Sequence, residues 1–540
     1  MHIKRINIEG YKTFRKFELD LNKTLNVIVG DNETGKTTLL EAINLVLSHQ
    51  LDGRSIQYEL NPYVFNSDII NDYFSALRAG ENPSPPYILI EAYLDDDQTG
   101  ELNRLKGTNN TAGEDCPGLY LRIDLNEEFT EDFMAYSLAE DNPSILPVEY
   151  YMTVWRSFAD RSVMTRNLPF RAKIIDTSLA RGYLGPNRYL SRIISDVLED
   201  DNQHIALSLA YRKLRHLFMA EEGIQKINKH LEDKKGDVTE KTLTVSMDMS
   251  ARSTWDSSIT AHLDDLPFDF VGKGEQCRVQ MKLAIEAAGD SKVLLIEEPE
   301  NHLSHSNMYK LIDEITQRGI DRQVILTTHS NFVLNKLGIN NVKLLSASGR
   351  TMTLDHLSPD TKDYFMKLPG YDTLRLILSA KTILVEGPSD ELIVQKAYKK
   401  MHGKLPLQNG VDVISVGSLA FKRFLEIGRS LELDIRVVTD NDGSVSELRS
   451  KYEDYLDGKV DGIKICYDDD ENYPTLEPQL LKSNSLESMN KVLGKIGANA
   501  YKSNEALLAY MRKNKTDTAL KVFNSEEYID FPDYICDAIK

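Results

Sequence analysis

Gly30-Asp31-Asn32-Glu33-Thr34-Gly35-Lys36-Thr37 fits G-x-x-x-x-G-K-T and lies directly between an apolar run ending at Val29 and a helix-forming run that begins Thr37-Thr38-Leu39. In that setting the pattern has a mechanism. N–H groups of a loop containing Gly30, Asn32 and Gly35, and of the helix start at Thr38, face phosphates. Lys36 reaches the β and γ oxygens, and the Thr37 hydroxyl ligates magnesium. This is ATP-binding chemistry. Downstream, the apolar run Val293 to Ile296 ends in Glu297-Glu298-Pro299-Glu300. The first carboxylate is placed to hold magnesium, Glu297 through water, and the second, Glu298, to polarise the attacking water. Thr327-Thr328-His329-Ser330 ends the next apolar run, which makes His329 a candidate switch beside the γ-phosphate.

A second acidic set lies in the last third of the chain. The run Thr382 to Val385 ends in Glu386-Gly387, with Asp390 four residues after the glutamate, and the run from Asp434 ends in Asp440-Asn441-Asp442. Strand C-termini of a parallel α/β sheet share one edge, where ligands bind, so Glu386, Asp390, Asp440 and Asp442 are expected to converge. Carboxylates crowded together raise one another's pKa unless cations sit between them, and oxygen-only donors select Mg2+ or Mn2+. The run Asp468-Asp469-Asp470-Glu471 reads instead as a solvated loop.

The elements that must position these groups follow from periodicity. Residues 1 to about 50 read as β-β-β-loop-α, and Tyr87 to Leu94 as a further strand after the breaker around Pro86. The alternation Leu243, Val245, Met247, Met249 predicts a strand over Thr242–Met249. Ile194, Val197, Leu207, Leu214, Leu217 and Ile224 recur at helical spacing and form a core or dimer seam. From 270 to 355 strands and helices alternate, and near 380 the rhythm restarts with TILVEG, VDVISV, DIRVVTD and DGIKICY, enough for an independent α/β domain. The expected division is 1–150 and 241–375 for the two parts of the ATPase, 151–240 for a mostly helical insertion, and 376–540 for the second catalytic domain.

The whole chain has 540 residues, 41% hydrophobic and 27% charged, with a formal charge of −19. That field repels a polyanion, which argues against a coat-like nucleic-acid binder more than against an enzyme with a local basic groove. Arg156, Arg161, Arg166, Arg171 and Lys173, with Trp155, Phe158 and Phe170, and then Arg212, Lys213 and Arg215, are candidates for such a groove. Ordinary exposed charge with core aromatics fits the same pattern equally well. Four scattered cysteines give neither a disulfide framework nor a zinc spacing and fit a reducing cytosol. No apolar run reaches membrane-spanning length, so a cytoplasmic protein without a membrane partner is expected.

The nucleotide motifs, with the opening IKRINIEGYKTF, resemble ABC-type ATPases of the SMC and RecF kind. That resemblance implies a head that dimerises around ATP, with a signature loop matched here by Val271-Gly272-Lys273-Gly274-Glu275-Gln276. Gly272, Gly274 and Gln276 keep that loop's pattern, while Lys273 and Glu275 replace its usual serine and glycine. LVEGPSD followed by Asp-x-Asp resembles the Toprim domain. The two together resemble the OLD (overcoming lysogenization defect) endonucleases, over nearly the whole chain. This implies an α/β fold: an ABC-type, SMC/RecF-like P-loop ATPase with a helical dimerisation insertion, then a C-terminal Toprim domain. It adds Glu477 to the metal ligands and Lys515 as the cation that neutralises the transferring phosphate. It also implies ATP-regulated, divalent-metal-dependent DNA cleavage in antiphage defence by a homodimer or higher homo-oligomer, with a helicase or retron as possible partner. The alternative is a RecF/SMC-like DNA-binding ATPase without nuclease activity.

Overall fold

The computed structural model describes the chain except for residues 52–53, 96–99, 140–142, 166–167, 169–171, 177–200, 234–240, 248–254, 256–257, 288–290, 302–305, 309, 311, 314–321, 347–350, 355, 368–371 and 418–419. The chain forms two compact units. One comprises Met1–Arg15, Lys23–Leu25 and Thr37–Thr327; the other comprises Lys16–Asn22, Asn26–Lys36 and Thr328–Lys540.

In the first unit an antiparallel sheet forms from the strands His2–Tyr11, Ile88–Asp95, Cys116–Leu125 and Tyr151–Ser157, each paired with the next. Alternation sets its register: Ile6 faces Ala92 and Ile8 faces Ile90, all four fully buried. A parallel set runs Ala172–Asp176, Val293–Glu297, Gln323–Thr327, so Asp176, Glu297 and Thr327 end at one level. The apolar stretches Val293–Ile296 and Val324–Leu326 are buried throughout, as strands covered on both faces must be.

The segment 151–240 is mixed and then helical: Tyr151–Ser157 and Ala172–Asp176 are strands, and its described helices are Asp201–Met219 and Glu222–Glu232. Short β-branched and apolar runs that can join existing sheets take that form in place of a helix. Thr242–Met247, expected as part of a strand, has no ladder partner among the described residues and is not a strand there, because alternation without a neighbouring edge cannot satisfy the backbone. Met249, Ile194 and Val197 lie outside the described residues. Leu214 and Leu217 are 62% and 68% exposed on the helix Asp201–Met219, so they build no core within this chain.

In the second unit, Val27–Gly30 pairs in parallel with Val342–Leu345, bringing Gly30 opposite Leu345. A separate four-stranded parallel sheet has the order Val411–Ser415, Lys381–Val385, Asp434–Val438, Ile463–Cys466. All four were legible as strands. Ile383, Val385, Val413 and Val438 bury one face with Ile393, Val394 and Ala397 of the helix Pro388–His402. The short helix Thr373–Leu378 leads into this sheet. Thr373 Oγ1 donates to Asn335 Oδ1 at 2.7 Å, and Arg375 holds Asp412 bidentately through Nε at 3.0 Å and Nη2 at 2.6 Å.

Candidate active sites

The phosphate-loop residues behave as their types require. A Cβ on Gly30 would come within 2.6 Å of Thr34 Oγ1 and 2.7 Å of the Leu345 carbonyl oxygen, so only glycine fits. Gly35 turns the loop at φ +94°. Lys36, 7% exposed, donates to the carbonyls of Gly30 (2.9 Å) and Asp31 (2.7 Å), which keeps its ammonium at the centre of the loop. In the same unit, Thr328 N–H donates to Ile28 O at 3.1 Å, and Ser330 caps the helix Asn331–Leu337, so His329 is held between a strand end and a helix start. Asn32 is exposed and Thr38 buried.

In the other unit, the Thr37 hydroxyl donates to Glu297 Oε1. Those are the two oxygens the sequence reading assigned to magnesium, brought from 260 residues apart. Glu298 takes a left-handed backbone, φ +40°, which a non-glycine residue adopts only under compensation. The compensation is visible: its N–H donates to Thr327 O and Oγ1 (3.1 and 3.2 Å), and Asn301 Nδ2 donates to its carboxylate at 2.8 Å. The signature-like stretch opens the helix Lys273–Ala287. Gly272 O accepts from Glu275 and Gln276, Glu275 pairs with Arg278, and Gln276 Nε2 donates to Phe268 O at 2.6 Å. Gln276 thus holds its own loop.

The second acidic set assembles at the C-terminal edge of the four-stranded sheet. Glu386 follows the strand Lys381–Val385, and its Oε1 accepts from Thr439 Oγ1 (2.7 Å) and Asp440 N–H (3.3 Å). Asp390 accepts from Gly387 N–H at 3.0 Å. Asp442 turns the chain at φ +49° and donates its N–H to Pro474 O. Glu477, 3% exposed at the start of the helix Leu476–Ser483, accepts from Thr475 Oγ1 at 3.1 Å, and Lys515 Nζ lies 3.6 Å from its other oxygen. Burial first, then Glu386 and Glu477, raise the Asp390 carboxyl to about 6. Burial first, then Asp390, Glu386, Glu477 and Asp442, raise Asp440 to about 8. All five carboxylates expected to gather therefore act on one another.

Three contributors were not singled out from sequence. Thr439 and Asn441 are the neighbours within Thr439-Asp440-Asn441-Asp442. Asn441, 1% exposed, donates to the carbonyls of Asp468 (2.7 Å) and Asp470 (3.1 Å) and ties the acidic turn to this loop. Asp468 and Asp470 themselves pair with Lys482, so the four-acid run is a structural turn beside the site. Tyr534 is the third: its phenol is pushed well up by burial first, then by Asp440, Asp390, Asp468 and Glu386, and no spacing in the sequence links it to them.

The donor set suits a hard divalent cation: five carboxylates, no nitrogen or sulfur, and a local excess of negative charge that burial makes costly. Among the described residues no three His, Cys, Asp or Glu side chains already form one ligand group.

The raised carboxyls have a stability consequence. The folded state holds the Asp440 proton more tightly than the unfolded state, so this contribution is complete below about pH 4 and is lost as pH rises through about 8. In chelator, wild-type melting temperature should fall from about pH 6 to about pH 9. Asp440→Asn should resist that fall and melt at a higher temperature than wild type at the alkaline end. Superimposable melting profiles for the two proteins would contradict the assigned crowding.

Of the proposed nucleic-acid groove, Trp155 stacks on His49 and donates to Val46 O at 2.8 Å, while Phe158 is 1% exposed against Tyr93. Phe158 is a core residue, and the half-buried Trp155 ring is already stacked on His49, so neither presents a free face to bases. Arg156 pairs with Asp160. Arg166, Phe170 and Arg171 lie outside the described residues.

Family models match an AAA ATPase domain over residues 1–131, an AAA domain over 265–335, and the Toprim domain of overcoming lysogenization defect-like proteins over 377–442. The chain thus carries AAA ATPase matches followed by a C-terminal match to the Toprim domain of overcoming lysogenization defect-like proteins. An OLD nuclease of Thermus scotoductus is 23% identical over 465 residues, 82% of each chain. The Old nuclease of Escherichia phage P2 is 23% identical over 213 residues, 36% of each chain. RecF of an Exiguobacterium species is 44% identical over 43 residues, 8% of this chain and 12% of RecF, so the match spans far less than two thirds of that relative.

Proposed function

We propose that this protein is an ATP-hydrolysing, divalent-metal-dependent DNA endonuclease. The observation that carries the reading is the mutual electrostatic coupling of Glu386, Asp390, Asp440, Asp442 and Glu477 at one sheet edge, with Lys515 reaching the last of them. In this reading the five carboxylates hold Mg2+ or Mn2+, two ions in all. When bound, such ions activate water and stabilise the leaving oxygen of an in-line displacement. Thr439 fixes the Glu386 carboxylate, and Lys515 offsets charge on the phosphate as one P–O bond forms and the other breaks. In the ATPase, Lys36 binds the β and γ oxygens, Thr37 and Glu297 hold Mg2+, Glu298 takes the proton of the attacking water, and His329 senses the γ-phosphate.

The exposed apolar side chains Ile205, Leu209, Leu214, Leu217 and Phe218 on the helix Asp201–Met219 support a homodimer or higher homo-oligomer through this segment. Antiphage defence, with a helicase or retron as partner, extends the reading from the OLD resemblance. No described helix is long and apolar enough to cross a membrane, and the four cysteines are free, which supports a cytoplasmic setting.

The second reading, a RecF/SMC-like DNA-binding ATPase without nuclease activity, draws support from the lack of a ready-made ligand group among the described acids. Supercoiled plasmid separates the two. Nicked or linear product in Mg2+ or Mn2+, abolished by chelator, is expected; intact plasmid in both metals beside normal ATP turnover would establish the second reading.

A further inference from the structure

The chain carries a net charge of −19, yet between Lys491 and Lys521 seven Lys and Arg side chains stand against only Glu505 and Asp517. Four of the seven are engaged. Lys491 pairs with Glu487 at 2.8 Å, Lys521 with Asp517 at 2.7 Å, Lys495 lies 4.5 Å from the Tyr510 ring centroid, and Lys515 reaches Glu477. Lys502, Arg512 and Lys513 are exposed and have no ion-pair, hydrogen-bond or ring partner among the described residues.

The helix that carries Arg512 and Lys513 meets the next helix in a tight corner, and Lys502 lies just before the first of the two. Asn504–Lys513 ends and Lys515–Asn524 begins around the single residue Asn514. Asn514 fixes the turn: its N–H donates to Tyr510 O and Met511 O, its Nδ2 to Tyr510 O at 2.9 Å, and its carbonyl accepts from Thr518 N–H. Met511, Thr518 and Ala519 anchor the corner in the core. Arg512, Lys513 and Lys515 therefore stand within four residues on a rigid support, and Lys515 places that support at the rim of the acidic cleft. A cleft of five carboxylates repels a polyanion, so a substrate phosphate chain needs compensating charge beside it.

We propose that Arg512 and Lys513, with Lys502, form the docking surface for the DNA backbone flanking the cleaved phosphate. Its choice of partner rests on the nuclease reading; its test does not, because it reads binding. The bland alternative is that Arg512 and Lys513 only complement the C-terminal end of their helix.

The experiment is fluorescence anisotropy of a short DNA duplex with the full-length protein in Ca2+, from about 50 to about 200 mM salt. Each lost phosphate contact lowers the slope of log K against log salt by about 0.9. Arg512→Gln/Lys513→Gln should reduce the slope by about 2, and adding Lys502→Gln should bring the reduction to about 3. ATP turnover and melting temperature should stay at wild-type values. An unchanged slope in these folded variants overturns the proposal and assigns the cations to the helix end. Single-stranded RNA bound in preference to the duplex, with the same charge dependence, also overturns it. If the slope falls as expected but wild-type protein never cuts DNA, the docking surface stands and the nuclease reading fails.

Discussion

Glu386→Ala and Asp440→Asn should each lower plasmid cleavage by about a thousandfold or more, while ATP hydrolysis stays within about twofold of wild type. Glu386 is the carboxylate on which Thr439 Oγ1 and the Asp440 N–H both converge, so removing it deletes a ligand and releases the turn that positions the next one. Asp440 is affected by all four other acids. Its amide replacement keeps the shape and removes the charge, so lost cleavage with an unchanged or raised melting temperature would identify a chemical defect. Cleavage within tenfold of wild type in either variant would remove this cluster from the chemistry. Thr439→Val provides a graded control: with Glu386 present but less well held, a smaller loss is expected, partly recovered at high Mn2+.

Glu298→Gln should lower ATP turnover by about two to three orders of magnitude, the range a positioned general base supplies, while nucleotide still binds. The backbone at Glu298 is held in the left-handed region by hydrogen bonds to Thr327, and Asn301 orients the carboxylate, so the amide should keep its place. Lys36→Ala should instead lose nucleotide affinity. Radiolabelled ATP binding with single-turnover hydrolysis separates the two. Normal turnover in Glu298→Gln would take the proton-accepting role away from that residue.

Much of this was readable before the fold, for a physical reason. A buried parallel strand must be a near-continuous apolar run, and its C-terminal edge is where polar side chains can gather, so LNVIVG, VLLIEE, TILVEG and DIRVVTDND each declared both element and site. Glu477 and Lys515 rested on resemblance alone, and the 3.6 Å contact between them gives that pairing a geometric footing. What stayed hidden depends on neighbours remote in sequence. Asn441 looked like a spacer between two aspartates, but its role is set by carbonyls near Asp468 and Asp470. Tyr534 faces the acids only because the last helix packs beside the sheet. Trp155 and Phe158 among arginines had the composition of a nucleic-acid surface, yet Phe158 is core and Trp155 is half-buried against His49. Thr242–Met247 shows the converse: alternation states which faces a strand would have, not whether an edge exists for it.

The most direct test of the central claim is Mn2+ binding in the absence of nucleotide, counted by electron paramagnetic resonance for wild type, Asp440→Asn and Glu386→Ala. Two ions per chain in wild type, with at least one lost in each variant, is the expected result. Equal Mn2+ stoichiometry and affinity in all three proteins would contradict a metal-binding role for these carboxylates.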